Sequence, residues 1–240
     1  MSDSTAYNPI IAALDVPSPE EALQLVERLH EHVGAFKVGK ELFTIAGPEI
    51  VRSIRKTGAS VFLDLKFHDI PNTVAKAVAA AVRLDVQMLT IHTSGSAAMM
   101  KAAEASAVET AASLDREPPL VLGVTVLTSM DANELSLVGV EASPAQQVER
   151  LASLARDSGL RGLVCSPLEL PLLRSFLPTE MKLVTPGIRP AGSAADDQKR
   201  TLSPREAIES GASWIVVGRP IYKADDPAAA AAEILASIRG

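Results

Sequence analysis

The sequence predicts a single-domain (β/α)8 barrel, the TIM-barrel class. Eight short apolar runs alternate with eight longer amphipathic stretches along a 240-residue chain. Repeated strand-helix units of this kind build a parallel sheet covered by helices. Polar and charged residues close many different apolar runs. A barrel mouth gathers such residues; a doubly wound open sheet, the nearest alternative, would not usually carry so many. No linker divides residues 1–240, and α/β barrels reach this length as one domain.

The first run, 10–15, is Ile10-Ile11-Ala12-Ala13-Leu14 closed by Asp15. Ser18-Pro19 then opens a helix over 19–31, a serine N-cap followed by proline at the first helical position. The second strand, 35–38, contains Lys37, and 40–56 reads as one helix. The third strand spans 60–66 and runs from Val61-Phe62-Leu63 into Asp64-Leu65-Lys66, with a helix over 72–84 behind it. The fourth, 87–92, ends in His92 before a helix over 96–114. The fifth strand is 120–127, and Ser143-Pro144 starts the helix 144–158. The sixth, 162–165, precedes a helix over 168–176. The seventh, 182–185, leads into the one long irregular stretch, 187–203, rich in small and charged residues. Loops of that length in a compact domain are usually functional or disordered, so it is expected to be a mobile lid. Ser203-Pro204 opens a helix over 204–210, 213–217 is the eighth strand, and Asp226-Pro227 begins the last helix, 227–238.

Composition excludes several classes. The chain is 47% hydrophobic and 22% charged, ordinary for a globular protein, while aromatics make up only 3%. Compact aliphatic side chains suit a barrel interior. The net charge of −6 gives no support for binding nucleic acid or an anionic membrane, though it permits a local cationic site for a small phosphate. One cysteine, Cys165, rules out an intramolecular disulfide and a cysteine metal cluster; it reads as a small buried strand residue. No histidine or carboxylate pattern at metal spacing occurs, and no GxGxxG or P-loop, so neither a metal nor a nucleotide cofactor is expected. Residues 1–9 lack the basic and apolar regions of a signal peptide, and no run of about 18 apolar residues exists. The expectation is a cytoplasmic protein with no membrane span.

Asp64-Leu65-Lys66-Phe67-His68-Asp69 is the most informative stretch. Strand alternation puts Asp64 and Lys66 on one face, and Asp69 in the following turn could lean back over Lys66. A packed row of carboxylate, ammonium and carboxylate is costly to bury unless paired, and active sites are where such rows occur. Lys37, in an apolar run, could pair with Asp64 across the barrel mouth; Asp15, closing the first run, could accept hydrogen bonds from ligand hydroxyls. Gly187-Ile188-Arg189 and Gly218-Arg219-Pro220-Ile221 follow strands seven and eight, where such barrels cradle phosphate. Glycine admits close backbone approach, arginine offers a bidentate fork, and a short helix near Pro220 would add its positive end. His92 and His68 read as packing or hydrogen-bonding residues rather than catalytic ones.

Asp64-x-Lys66-x-x-Asp69-Ile70-Pro71-Asn72-Thr73 resembles the signature of the bacterial orotidine 5′-monophosphate decarboxylases. The resemblance covers nearly the whole chain and includes Ala13-Leu14-Asp15, Phe36-Lys37-Val38-Gly39, Val124–Ser129, Thr185–Pro190, Gln198 and Val217–Pro220. It implies decarboxylation of orotidine 5′-monophosphate to UMP and CO2 in pyrimidine biosynthesis, with no metal or organic cofactor. Lys66 would stabilise charge at C6 of the pyrimidine and donate the proton, within a network of Asp64, Asp69 and Lys37. Thr128 would contact the base, Asp15 and Lys37 the ribose, and Arg189, Gly218 and Arg219 the phosphate. Gln198 would bridge base and phosphate from the lid. Asp69, Ile70 and Thr73 would reach the neighbouring subunit's site, making a homodimer with shared active sites. Two alternatives share part of this pattern. One is a sister decarboxylase of keto-sugar phosphates, which shares the Asp-x-Lys-x-x-Asp core but needs a divalent metal and an additional acidic ligand. The other is a catalytically idle phosphate-binding barrel, expected to have lost Lys66 or an aspartate.

Overall fold

Eight parallel strands close into a barrel in the order of the sequence, each pairing with the next and the last with the first. The structure is a computed structural model that describes residues 7–189 and 201–239. The strands are β1 Ile10–Ala13, β2 Ala35–Gly39, β3 Val61–Phe67, β4 Met88–His92, β5 Leu120–Val124, β6 Gly162–Val164, β7 Lys182–Thr185 and β8 Trp214–Val217. The helices are α1 Pro19–Leu29, α2 Lys40–Ala46, α3 Glu49–Lys56, α4 Pro71–Arg83, α5 Ala97–Ser113, α6 Ala132–Leu137, α7 Pro144–Asp157, α8 Leu170–Arg174, α9 Pro204–Glu209, α10 Arg219–Tyr222 and α11 Pro227–Arg239. Each predicted strand is found, and the fold class is the one the alternation predicts. None of the described helices is long and apolar enough to cross a membrane.

The Ser-Pro starts behave as their chemistry dictates. Ser18, Ser143 and Ser203 accept the amide hydrogens of Glu21, Gln146 and Glu206, satisfying donors that a helix start leaves unpaired. The largest differences from the sequence reading are these. The helix expected over 40–56 is two helices, because Gly47 takes φ +63 at the end of α2 and Pro48 follows it. The fifth strand stops at Val124 rather than 127. Beyond it lies the unforeseen α6, nucleated by a reciprocal capping box between Asp131 and Glu134.

Period-2 alternation sorts the strand residues into two apolar layers. Outward residues such as Ile10, Phe36, Leu63, Leu89 and Leu163 pack beneath the helices. Inward residues Ile11, Ala35, Phe62, Met88, Leu122, Val184 and Val216 fill the barrel itself. The lower end is closed by Trp214, whose ring meets Tyr7 edge-on at a centroid distance of 4.9 Å. The interior below the mouth is therefore a packed plug, and polar side chains inside the barrel can gather only above it.

Phe62 anchors that plug and is fully buried. Phe62→Ala should lower unfolding free energy by about 3–5 kcal/mol. Urea denaturation checks this, and a loss below about 1 kcal/mol would contradict a tightly packed interior.

Candidate active site

The inward face of each strand changes character one step above the plug. On β2 the step above Ala35 is Lys37; on β3 the step above Phe62 is Asp64; on β4 Met88 is followed by Thr90 and His92. Asp15 stands two residues past the end of β1, beyond inward Ala13. The same alternation that builds the plug thus aims these side chains into the mouth.

Lys66 and Asp64 meet as the sequence implies, with Nζ donating to Asp64 Oδ1 at 2.7 Å. Both are largely shielded, their side chains 23% and 16% exposed. The route is not plain alternation. Leu63 pairs with Leu89 and Phe67 with Ile91, so β3 advances four residues while β4 advances two. The bulge carries Lys66, which adopts φ +54. That left-handed conformation costs a non-glycine residue about 1–2 kcal/mol. Removing either partner would leave a poorly solvated charge unpaired.

Two expected pairings are corrected. Asp69 does not lean over Lys66. It is exposed, and its Oδ1 accepts the Ile70 amide hydrogen at 2.7 Å. Pro71 begins α4 and holds Ile70 extended (φ −58, ψ 153). Ile70 and Thr73 are exposed as well. Lys37 pairs with Asp15 rather than Asp64, its Nζ donating to Asp15 Oδ1 at 2.9 Å. Strand register explains this. Lys37 lies opposite Ala13 on β1 and opposite Phe62 on β3, whereas Asp64 lies opposite Gly39. A Cβ on Gly39 would come within 3.2 Å of Lys37 Nζ, so glycine there leaves room for the pair.

Two adjoining hollows fill the mouth. One, about 310 Å3, is lined by Asp15, Lys37, Asp64, Lys66, His92 and Leu127, with Lys40 and Glu41 at its side. The other, about 130 Å3, is lined by Asp15, Lys37, Gly187, Arg189, Gly218 and Arg219. Asp15 and Lys37 belong to both. Arg189 is fixed by a bridge between Ile188 and Leu202, its amide donating to the Leu202 carbonyl at 3.0 Å. Arg219 opens α10, one residue before the predicted helix start. Thr128 is exposed in the turn after β5, and Leu127 is the residue of that turn that lines the larger hollow. Gln198 and the lid positions 190–200 lie outside the described residues. Among the described residues no three His, Cys, Asp or Glu side chains converge as a metal site.

The 8–234 stretch matches the sequence pattern of the family described as "Orotidine 5'-phosphate decarboxylase / HUMPS family". The chain belongs to that family. The orotidine 5′-phosphate decarboxylase of Opitutus terrae is 53% identical over 230 residues, 96% of this chain and 98% of that one. The enzyme of the same name from Moorella thermoacetica is 51% identical over 234 residues, covering 97% and 93%. The crystal structure of orotidine 5′-phosphate decarboxylase from Lactobacillus acidophilus superposes with a TM-score of 0.87 at 36% identity, covering 98% of this chain and all of that one.

Sequence reasoning passed over Thr90, Lys40 and Glu41. Thr90 had a visible signal: it is the single polar residue inside Met88-Leu89-Thr90-Ile91, and it is fully buried. Its hydroxyl bonds both Asp64 and the Lys66 backbone. Lys40 and Glu41 look like an ordinary first helical turn, and only closure of the barrel brings them to the hollow.

His92 shows the field in this family member's mouth. Burial, then the charges of His68, Lys66 and Lys40, pull its pKa below the ordinary 6.5, with Asp64 opposing them. Its ring lies 5.3 Å from that of His68. The unfolded chain therefore takes up this proton first. The residue's contribution to stability is complete above about pH 6.5 and declines as pH falls towards the depressed folded value. An NMR titration should give a His92 midpoint below 6.5, and His92→Asn should flatten that part of the pH–stability curve. A midpoint at or above 6.5 would contradict the described field.

Proposed function

We infer that this chain decarboxylates orotidine 5′-monophosphate to UMP and CO2, the last step of UMP synthesis. The observation that carries the reading is the order of groups along the two hollows. A shielded ammonium, Lys66, sits at one end, the Asp15–Lys37 pair in the middle, and Arg189 with Arg219 at the other. A nucleotide has the same order: base, ribose, phosphate. The curated relatives named for this activity align over nearly the whole chain.

With the base beside Lys66, the C6–carboxylate bond breaks heterolytically. CO2 departs and the electron pair stays on C6. The Lys66 ammonium stabilises that charge from its fixed position and then donates a proton to C6; the amine regains one from solvent. Asp64, 2.7 Å from Nζ, holds the ammonium in place. Thr128 contacts the base, and Asp15 and Lys37 hold the ribose hydroxyls. Arg189, Gly218 and Arg219 bind phosphate, whose binding energy is remote from the bond that breaks yet can serve catalysis by fixing the substrate. The chemistry calls for no metal or organic cofactor, and the chain works in the cytoplasm.

The subunits pair, and Asp69, Ile70 and Thr73 complete the partner's site. The exposed Ile70, 66% accessible beside Asp69, supports this reading, as an apolar side chain on a loop beside the mouth that pairing would cover.

Loss of orotidylate absorbance with release of UMP tests the activity directly, and the rate should persist after exhaustive chelation. A metal-dependent rate on a keto-sugar phosphate instead would assign the chain to the sister chemistry. Arg219→Ala should reduce kcat/KM for orotidylate about 100-fold or more, and that for the phosphate-free nucleoside by less than about threefold. Equal losses on both would contradict a phosphate role.

Mixed dimers test site sharing. Lys66→Ala and Asp69→Ala homodimers each carry a defect in every site. In the heterodimer one site receives both defects and the other neither. Subunit exchange should restore up to about half of wild-type activity per heterodimer. Exchange without recovery would place Asp69's role within its own chain.

A further inference from the structure

We propose that Thr90 is a positioning residue for the reacting lysine, clamping the β3 bulge through a one-way hydrogen-bond relay. The proposal rests on the assignment of Lys66 as the proton donor. Thr90 lies on β4 between Met88 and His92, points into the barrel and is fully buried.

Hydrogen-bond chemistry fixes the direction of each contact. The Lys66 amide can only donate, so Thr90 Oγ1, 2.8 Å away, accepts from it. The hydroxyl then has one proton left to give. Asp64 Oδ1 stands 3.0 Å away and, as a carboxylate, only accepts. The same oxygen receives the Lys66 ammonium at 2.7 Å. The backbone and side chain of Lys66 are thus tied to one another through two other residues, and the loop closes in a single sense.

The bulge explains why a hydroxyl is needed. Four residues of β3 stand against two of β4, so the ladder offers Lys66 no regular carbonyl for its amide. Thr90 supplies the acceptor with its side chain. It thereby holds Lys66 at φ +54, a conformation the residue would otherwise leave. A barrel wall does not ask for this: valine has the same shape, suits a strand and brings no buried hydroxyl. Thr90 touches neither substrate nor reacting atoms in this account. It acts by setting where the ammonium stands and by keeping the Asp64 carboxylate oriented towards it.

Thr90→Val removes the relay and keeps the shape; Thr90→Ser keeps the relay and removes a methyl group. In wild type and Thr90→Ser the Lys66 amide should exchange slowly with deuterium, and in Thr90→Val about tenfold or more faster. With orotidylate, Thr90→Val should lose about 10- to 100-fold in kcat while KM stays within about threefold, and Thr90→Ser should restore most of kcat. If the valine variant does not fold, Thr90→Ala takes its place, since it also lacks the hydroxyl. Three results would overturn the proposal: unchanged Lys66 exchange in the hydroxyl-free variant, a kcat within twofold of wild type, or a serine variant as impaired as valine. A wild type without orotidylate turnover would refute the assigned reaction instead, and amide exchange at Lys66 would still decide the clamp.

Discussion

The structure depends on one costly arrangement, a lysine and an aspartate paired at the top of an otherwise apolar barrel. Lys66 and Asp64 lie 2.7 Å apart with most of their surface shielded from water. Such a pair contributes little to stability compared with apolar side chains of the same size. It persists because the surroundings over-determine it. Below it the packed plug of Phe62, Met88 and Leu122 blocks retreat into the core. Beside it the bulge of β3 and the Thr90 hydroxyl fix the backbone that presents it.

A closed parallel barrel makes this possible at modest cost elsewhere. Every strand points its C-terminal end to the same mouth, so residues from distant parts of the chain meet without long connecting loops. Alternation then divides each strand's inner face into an apolar lower part and a polar upper part. Ala35 below Lys37 and Phe62 below Asp64 show the division on neighbouring strands. Strand register decides which charges pair. Lys37 answers to Asp15 across β1 and β2, leaving Lys66 with Asp64, and the two pairs form separate stations along one groove.

Much of this was legible in the chain. Alternating apolar runs and Ser-Pro helix starts define the eight units because strand and helix periodicities are local properties. The charge row announced itself because charged residues seldom close an apolar strand. What sequence could not show was longer-ranged. The break at Gly47-Pro48 was masked by a helical pattern that continues on both sides of it. Pairing of Lys37 with Asp15 depends on register between strands, which a single chain's pattern does not encode. Asp69 is expected over Lys66, but its carboxylate accepts the neighbouring Ile70 amide hydrogen, a local backbone contact that charge spacing alone does not reveal. Thr90 carries a signal as the one polar residue of an apolar run, but its role depends on the bulge of the neighbouring strand, which the sequence does not show.

The central claim is that an ammonium held at position 66 performs the chemistry. The chain permits a direct test by chemical restoration. Cys165 is the sole cysteine, buried, with its thiol pushed up to about 12 chiefly by burial, so it resists alkylation in the folded protein. A cysteine introduced as Lys66→Cys sits at the accessible mouth and can be aminoethylated, which rebuilds an ammonium one atom type away from lysine. Turnover of orotidylate should be lost in Lys66→Cys and should return, to a substantial fraction of wild type, in step with alkylation measured by mass. A cysteine variant active before alkylation, or one fully alkylated at position 66 that stays inactive while still folded, would contradict the claim.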